Sequence, residues 1–196
     1  MFKDKKQLKS PLLKILSPFP ASKMFIDGAA FARAVELARR NGVEMLFYAR
    51  LKKHYAGLHA CIDEYLEKNY NAYLMAVARS MRQEAVENEV VASLARKHVM
   101  VCLIKGNTIA RIIYEDPNCR SSADIDLLVR TEDLAAADNL LKEMGFLRHE
   151  SLPLNFVVGR LHHLVYSNEE KRIPMELHWD FGFPLYFNMT PADIWK

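Results

Sequence analysis

The chain has 196 residues, of which 51% are hydrophobic; this suits one domain, or one domain with a helical extension, and excludes global disorder. Its 27 basic and 24 acidic residues leave a net charge of +3, an excess too small to indicate a nucleic-acid-binding protein. No apolar stretch has the length of a membrane span, and the N-terminus does not have the pattern of a signal peptide. These observations leave the classes of soluble enzyme and soluble binding protein.

The cysteines indicate a reducing compartment. Cys61, Cys102 and Cys119 are odd in number and widely spaced, and none belongs to a CxxC pair. This pattern does not fit a disulfide framework or a zinc site. We therefore expect reduced thiols in a cytoplasmic protein.

The first hundred residues carry helical patterns. Asp27 can cap a helix that runs to about Arg40, and a second helix is predicted from Val43 to about His54. Ile62 to Lys97 contains neither proline nor glycine, and its apolar residues recur at helical spacing, so it predicts one long amphipathic helix. The sequence thus predicts an N-terminal helical region over residues 1–98.

After residue 98 the pattern changes to strands. Val99–Ile104 is a short apolar run ended by Lys105-Gly106, which predicts a buried strand and a turn before a helix at Thr108–Tyr114. Asp124–Arg130 alternates between polar and apolar side chains and predicts a second strand. These patterns predict an α/β core over residues 99–196.

The rest of this core is predicted as one helix and one hairpin. Thr131 is expected to cap a helix that ends at Gly145, and Leu161–Asn168 with Arg172–Trp179 reads as two strands of a hairpin. Thr190-Pro191 has the pattern of a helix start with almost no chain left, which predicts that the natural protein continues. Self-association is predicted from the apolar residues nearby: Phe181, Phe183, Leu185, Tyr186, Phe187 and Trp195.

Asp124-Ile125-Asp126 is the candidate for chemistry. Alternation in a strand places the two carboxylates on one face, with Ile125 in the core behind them. Two adjacent carboxylates repel each other, and a divalent cation such as Mg²⁺ relieves that repulsion. Because so short a motif also occurs on solvated edge strands, its surroundings have to decide between the two interpretations.

Those surroundings favour a metal site. Lys105-Gly106-Asn107 stands at a helix entrance, where backbone N–H groups can approach a phosphate. Downstream, Glu176 and His178 share one face of a predicted strand, so Glu176 can act as a third acid and His178 can orient it. His162 and His163 should face opposite ways as strand neighbours and therefore should not bind one ion together; His163 is expected to be structural or supporting.

In combination and order, these motifs resemble the polymerase-β-like nucleotidyltransferases, and most closely the branch of uncharacterised nucleotidyltransferases. The resemblance covers roughly residues 30–196. It rests on Leu103-Ile104-Lys105-Gly106, Tyr114, Arg120, Asp124-Ile125-Asp126-Leu127-Leu128-Val129, Gly145-Phe146, His163 and Glu176-Leu177-His178-Trp179. The chain departs from the pattern at Asn107, where serine is usual, and at Ala123, where glycine is common.

The resemblance implies an α+β fold in which N-terminal helices pack on a small mixed sheet flanked by helices. It implies transfer of a nucleoside monophosphate from an NTP, such as ATP, to a hydroxyl of a small molecule or protein. Asp124, Asp126 and Glu176 would be catalytic and would hold two Mg²⁺ or Mn²⁺ ions. Lys105, Gly106, Asn107 and Arg120 would bind the nucleotide.

Two other functions remain open at this point. The chain could be a catalytically weak binding or regulatory module, such as an antitoxin-like partner, that keeps the same fold. It could also bind nucleic acid through its basic N-terminus, although no basic stripe with interleaved aromatic residues continues beyond it. The three retained acids favour the enzyme.

Overall fold

The computed structural model describes residues 11–17, 27–114, 116–120, 122–181 and 191–195. The basic N-terminal residues, the predicted cap at Thr190 and most of the predicted self-association surface lie outside these residues. Among the described residues, no helix is both long and apolar enough to cross a membrane.

The chain forms two compact units. The helical unit comprises Met1–Arg79 and Ile113–Ser121, and the sheet unit comprises Ser80–Ile112 and Ser122–Lys196. The predicted domain boundary between residues 98 and 99 stays a prediction, because compactness is a different criterion from independent folding.

Helices build the first unit around an apolar core. Their bounds are α1 Pro11–Leu16, α2 Gly28–Arg40, α3 Glu44–His54 and the first part of α4, which spans Ala60–Arg96. The side chain of Asp27 accepts a hydrogen bond of 2.7 Å from the backbone N–H of Ala30, so the predicted cap is confirmed. The buried core includes Phe31, Phe47, Leu51, Tyr55 and Ile62.

The long helix α4 is continuous, as predicted. The helical spacing of its apolar residues placed Met81 on the same face as Val90 and Leu94, and the structure corrects this for Met81. Met81 is exposed, whereas Val90 and Leu94 are buried. The buried positions of the second half of α4 are Gln83, Val86, Glu87, Val90, Ser93 and Leu94. Their spacing of mostly three and four residues defines one helix face. Three of its members, Gln83, Glu87 and Ser93, have polar side chains, which a hydrophobic pattern does not identify.

The second unit contains a five-stranded mixed sheet within the described residues, in the order β1-β2-β5-β4-β3. The strands are β1 Val101–Leu103, β2 Ile125–Val129, β3 Leu147–Arg148, β4 His163–Ser167 and β5 Met175–His178. β2 pairs parallel to β5 and antiparallel to β1, while β4 pairs antiparallel to both β5 and β3. The α+β class with a mixed sheet and the hairpin of β4 and β5 are therefore confirmed.

The first strand differs from its prediction as a buried strand over Val99–Ile104. It is shorter, and all three of its residues are only half-buried. The reason is its place in the sheet: among the described strands, β1 pairs with β2 alone and stands at the edge. The apolar composition of β1 is typical of a central strand. The prediction failed because the composition of one strand does not indicate how many strands pair with it.

The remaining helices are α5 Gly106–Ile113, α6 Leu134–Glu143, α7 Leu154–Val157 and α8 Pro191–Ile194, and all but the last residue of α5 belong to the sheet unit. The predicted cap at Thr131 is wrong, because the chain first makes a 3₁₀ turn at Thr131–Asp133 and neither start has a side-chain cap. The short α7 and β3 were not predicted, since they carry too few residues for a periodic pattern.

One face of the sheet packs on α6 and the second half of α4. Ile125, Leu127 and Val129 of β2 are fully buried there, and Trp179 belongs to the same core, as predicted. On α6 the buried carboxylate of Asp138 accepts a hydrogen bond of 2.7 Å from the hydroxyl of Tyr166 and another from Lys142. The opposite face of the sheet is therefore the one left for polar chemistry.

Candidate functional site

Three carboxylates converge on that opposite face. Asp126 on β2 and Glu176 on β5 are register partners of the parallel pair, and Asp124 lies just before β2. One oxygen atom from each of the three lies within 4.8 Å of the others. The structure thus brings together all three acids that the sequence singled out, through side-chain alternation and the register of the two strands.

Asp126 is the most enclosed of the three acids, because its side chain is only 1% exposed. Its Oδ1 lies 2.6 Å from Nζ of Lys105 and 3.2 Å from Nε2 of His178. Its Oδ2 is buried and has no hydrogen-bond partner among the described residues. A buried carboxylate oxygen without a partner is costly, and hard oxygen ligands suit Mg²⁺, so these acids fit a divalent cation.

The environment keeps Asp126 ionised. Burial by itself raises the pKa of this carboxyl, but hydrogen bonds from His178 and Lys105, together with their positive charges, outweigh burial and leave the pKa below its ordinary value. Asp126 therefore carries its negative charge at neutral pH. That is the form a metal ligand requires.

Lys105 contributes the countercharge. Burial lowers the pKa of its ammonium, but the hydrogen bond to Asp126 and the nearby negative charges outweigh burial and raise it. Its side chain is 52% exposed, so the ammonium contacts both the acid and solvent. The structure therefore places this predicted nucleotide-binding residue against Asp126, one of the three converging acids.

Gly106 begins α5 with a backbone φ of +71°, a left-handed conformation that favours glycine. A Cβ at this position would lie 3.6 Å from Oε1 of Glu87 and 3.9 Å from the backbone oxygen of Asp124. The turn is thus held close to the start of β2. This brings the N-terminus of α5 near the acids.

Asn107 and Arg120, the other two predicted nucleotide-binding residues, have surroundings that differ from those of Lys105 and Gly106. The side chain of Asn107 is buried and donates a hydrogen bond of 3.0 Å to the backbone oxygen of Ser80, so it anchors the turn to α4. Arg120 belongs to the segment Ile113–Ser121 of the helical unit. Nucleotide contacts by these two residues stay predictions.

Histidines lie beside the acids. Nε2 of His178 lies 3.1 Å from Oε2 of Glu176 in addition to its contact with Asp126, so it links the two carboxylates. The rings of His162 and His163 lie 4.4 Å apart, although we expected them on opposite faces. His162 precedes the first residue of β4, so strand alternation does not govern its direction. Burial is the main cause that lowers the pKa of His163.

Sequence reasoning missed three residues that support the site. Gln83 on α4 donates a hydrogen bond to the backbone oxygen of Asp124, and the hydroxyl of Ser122 donates to the same oxygen at 3.0 Å. Glu87 lies one helical turn after Gln83, and its Oε1 is 3.6 Å from the position that a Cβ on Gly106 would take. The sequence held one signal for Gln83 and Glu87: these two polar residues lie four positions apart, so they share one face of the predicted helix.

The similarity of the chain to a known protein family agrees with this geometry. A family model described as "Uncharacterised nucleotidyltransferase" matches residues 27–196 of the chain. No curated protein and no solved structure matches the chain.

Proposed function

Because the chain belongs to the uncharacterised nucleotidyltransferase family, we propose that it transfers a nucleoside monophosphate from an NTP to an acceptor hydroxyl, with Mg²⁺ or Mn²⁺ as cofactor. The observation that carries this proposal is the convergence of Asp124, Asp126 and Glu176, with a buried oxygen of Asp126 left without a partner among the described residues. The acceptor would be a small molecule or a protein.

Asp124, Asp126 and Glu176 would hold the cations, which when bound would neutralise charge on the triphosphate and favour deprotonation of the acceptor. Lys105 would bind a phosphate oxygen, because its ammonium is partly exposed beside the acids. Backbone N–H groups at the start of α5 would bind another, since the first N–H groups of a helix lack intrahelical partners. Gln83 and Ser122 would fix the position of Asp124 through its backbone oxygen.

The proposed reaction is a single displacement at phosphorus. The acceptor oxygen forms a bond to the α-phosphorus, and the bond from that phosphorus to the oxygen bridging to the β-phosphorus breaks. Pyrophosphate leaves with the electron pair, and the hydroxyl proton is released to solvent. Such a reaction depends mainly on positioning and charge stabilisation, the two roles proposed for the acids, Lys105 and the Gly106 turn.

Calorimetry tests the binding half of the proposal. The wild type should bind an NTP more tightly with Mg²⁺ than without it, and the double variant Asp124→Ala/Asp126→Ala should lose that difference. A matched control is Glu132→Ala/Asp133→Ala, which removes two acids from the 3₁₀ turn after β2 and should behave like the wild type. Equal affinity in the wild type and the Asp124/Asp126 variant, with and without Mg²⁺, would refute a metal-bridged triphosphate.

Incubation with each labelled NTP, Mg²⁺ and a cell extract tests the transfer half. Label should move to an acceptor in the extract with the wild type and not with the Asp124/Asp126 variant. Metal-dependent NTP binding without transfer by the wild type would instead support the regulatory, antitoxin-like module. A labelled product that forms equally with the double variant would exclude these acids from catalysis.

A further inference from the structure

The polar face of the sheet carries imidazoles beside its acids. In the antiparallel pair of β4 and β5, His163 stands directly opposite His178. Glu176 lies two residues before His178 on β5, so strand alternation places both on one face. Two histidines and one carboxylate therefore project from the same patch of the sheet.

The side chains are close enough to share an ion. One ligand atom from each of His163, Glu176 and His178 lies within 4.8 Å of the others. The rings of His163 and His178 have centroids 5.0 Å apart. Tetrahedral bonds of about 2.05 Å separate neighbouring ligand atoms by roughly 3.3 Å, so modest side-chain rotation would close the remaining gap.

One ring nitrogen of this group is left without a hydrogen-bond partner in the described part of the chain. It is Nδ1 of His163, which is buried. Nε2 of His178 lies between two carboxylate oxygens, at 3.1 Å and 3.2 Å. A cation bound through Nδ1 of His163 would supply the partner that this nitrogen lacks, and it would lie beside the carboxylates that contact His178.

We infer that His163, Glu176 and His178 form a second cation site, for a first-row transition metal rather than for Mg²⁺. The ligand chemistry separates this site from the carboxylate set of Asp124, Asp126 and Glu176. Imidazole nitrogen favours Zn²⁺, Co²⁺ or Ni²⁺, whereas Mg²⁺ prefers oxygen ligands. Two histidines with one carboxylate leave positions open for water or a substrate oxygen.

Glu176 belongs to both sets and would bridge them. A transition metal on the histidine side would draw one oxygen of Glu176 and leave Asp124 and Asp126 to hold the triphosphate-bound ion. The two ions of the proposed reaction would then differ in chemical kind. This inference concerns metal binding alone, so it can fail while nucleotide transfer is established, and the reverse also holds.

Titration with Co²⁺ tests the inference, because a nitrogen-ligated Co²⁺ ion is visible by absorption spectroscopy. The tag-free 196-residue chain is titrated without nucleotide and with excess Mg²⁺ to occupy oxygen-only sites. The wild type should bind one equivalent of Co²⁺. His163→Gln should weaken binding at least about tenfold, since loss even of groups that only orient a ligand costs about 10–100-fold.

Two variants separate this site from its neighbours. His162→Gln makes the same chemical change one residue away and should leave Co²⁺ affinity within about twofold of the wild type. Asp124→Asn removes an acid of the carboxylate set and should weaken Mg²⁺ binding while leaving Co²⁺ bound. The inference is overturned if His163→Gln binds Co²⁺ like the wild type, if His162→Gln loses as much affinity, or if Asp124→Asn abolishes Co²⁺ binding.

A measurement on the wild type keeps the test independent of variant folding. One equivalent of Zn²⁺ should shift the imidazole NMR signals of His163 and His178. The signal of His149 should stay in place, because its Nε2 is paired with the hydroxyl of Ser167 at 2.8 Å. Unshifted signals of His163 and His178 would overturn the assignment whatever the variants show.

Discussion

Asp126 and Glu176 stand opposite each other in the parallel pairing of β2 and β5. Like charges directly across two strands destabilise a sheet, and here one of them is also buried. The compensation comes from Lys105, whose ammonium lies 2.6 Å from Asp126, and from His178, whose Nε2 lies close to both carboxylates. The protein therefore supplies its own ammonium and imidazole groups where we propose that metal ions bind.

Replacing Lys105 should change metal and nucleotide affinity in opposite directions. In Lys105→Gln, Mg²⁺ or Mn²⁺ should bind more tightly without nucleotide, because a competing positive charge is gone. Removing a charge about 4 Å away in a water-exposed setting is worth about 1 kcal/mol, or about fivefold. NTP binding should weaken by a similar factor. Calorimetry measures both affinities.

The control for Lys105 is Lys97→Gln, which makes the same charge change at an exposed residue whose ammonium is 3.9 Å from Glu143. It should leave both affinities unchanged. If both affinities fall together in Lys105→Gln, Lys105 supports the fold of the acid site and does not compete with the cation.

Gly106→Ala should destabilise the sheet unit by about 1–2 kcal/mol, because a side chain at a φ of +71° is strained. The added Cβ would meet neighbours at ordinary contact distances, so backbone strain and not a clash sets the cost. Urea unfolding measures the loss. Gly159→Ala is the matched control, since no atom of the described residues lies within 4 Å of its Cβ position. An equal loss of stability in this control would contradict a special role for the backbone conformation of Gly106.

Glu87 should make stability depend on pH. Burial is the main cause that raises the pKa of its carboxyl from 4.5 to about 7, with Arg111 acting against the rise and Glu84 adding to it. Between these pH values the folded protein binds a proton that the unfolded chain has released, so stability contributed by this group falls as pH increases.

In the Glu87→Gln variant this loss should be absent. Between pH 4.5 and about 7, the free energy of unfolding of the variant should rise relative to the wild type by up to about 3 kcal/mol. Urea unfolding of both proteins at pH 5 and pH 8 measures the difference. Parallel pH profiles for the two proteins would contradict the raised pKa.

Tyr166→Phe should cost about 1–3 kcal/mol, because the buried Oδ1 of Asp138 loses the hydroxyl that donates to it at 2.7 Å. The ring still fills the core, so packing changes little. Tyr70→Phe makes the same change at an exposed residue and should fall within about 0.5 kcal/mol of the wild type. Thermal and urea unfolding measure both, and equal stabilities would show that other partners fully satisfy Asp138.

Much of the fold and the three acids of the candidate site could be predicted from the sequence alone. Helix α2 was predictable because its cap at Asp27 is a local signal. The shared face of Asp124 and Asp126 was predictable because strand alternation has a fixed period. Glu176 needed one further step, the assumption that its strand joins the same sheet. These signals act over a few residues, which is why a single sequence reveals them.

The remaining features depend on contacts between distant residues. The support of Asp124 by Gln83 joins residues 41 positions apart, and the contact of Lys105 with Asp126 joins residues 21 positions apart. Neither follows from periodicity, because a charged or polar side chain on a predicted helix or turn reads as solvated. The closeness of His162 and His163 likewise depends on where β4 begins.

The strand order determines when the acid site forms during folding. β5 follows the other four described strands along the chain, yet it occupies the centre of the sheet between β2 and β4. β4 and β5 form a hairpin of neighbouring strands, whereas β2 keeps an unpaired backbone edge until β5 docks on it, and a pairing so distant in sequence forms slowly. During synthesis the carboxylates therefore meet only at this last docking step. Cations bound to the finished site should accordingly slow unfolding of the sheet more than they speed its folding.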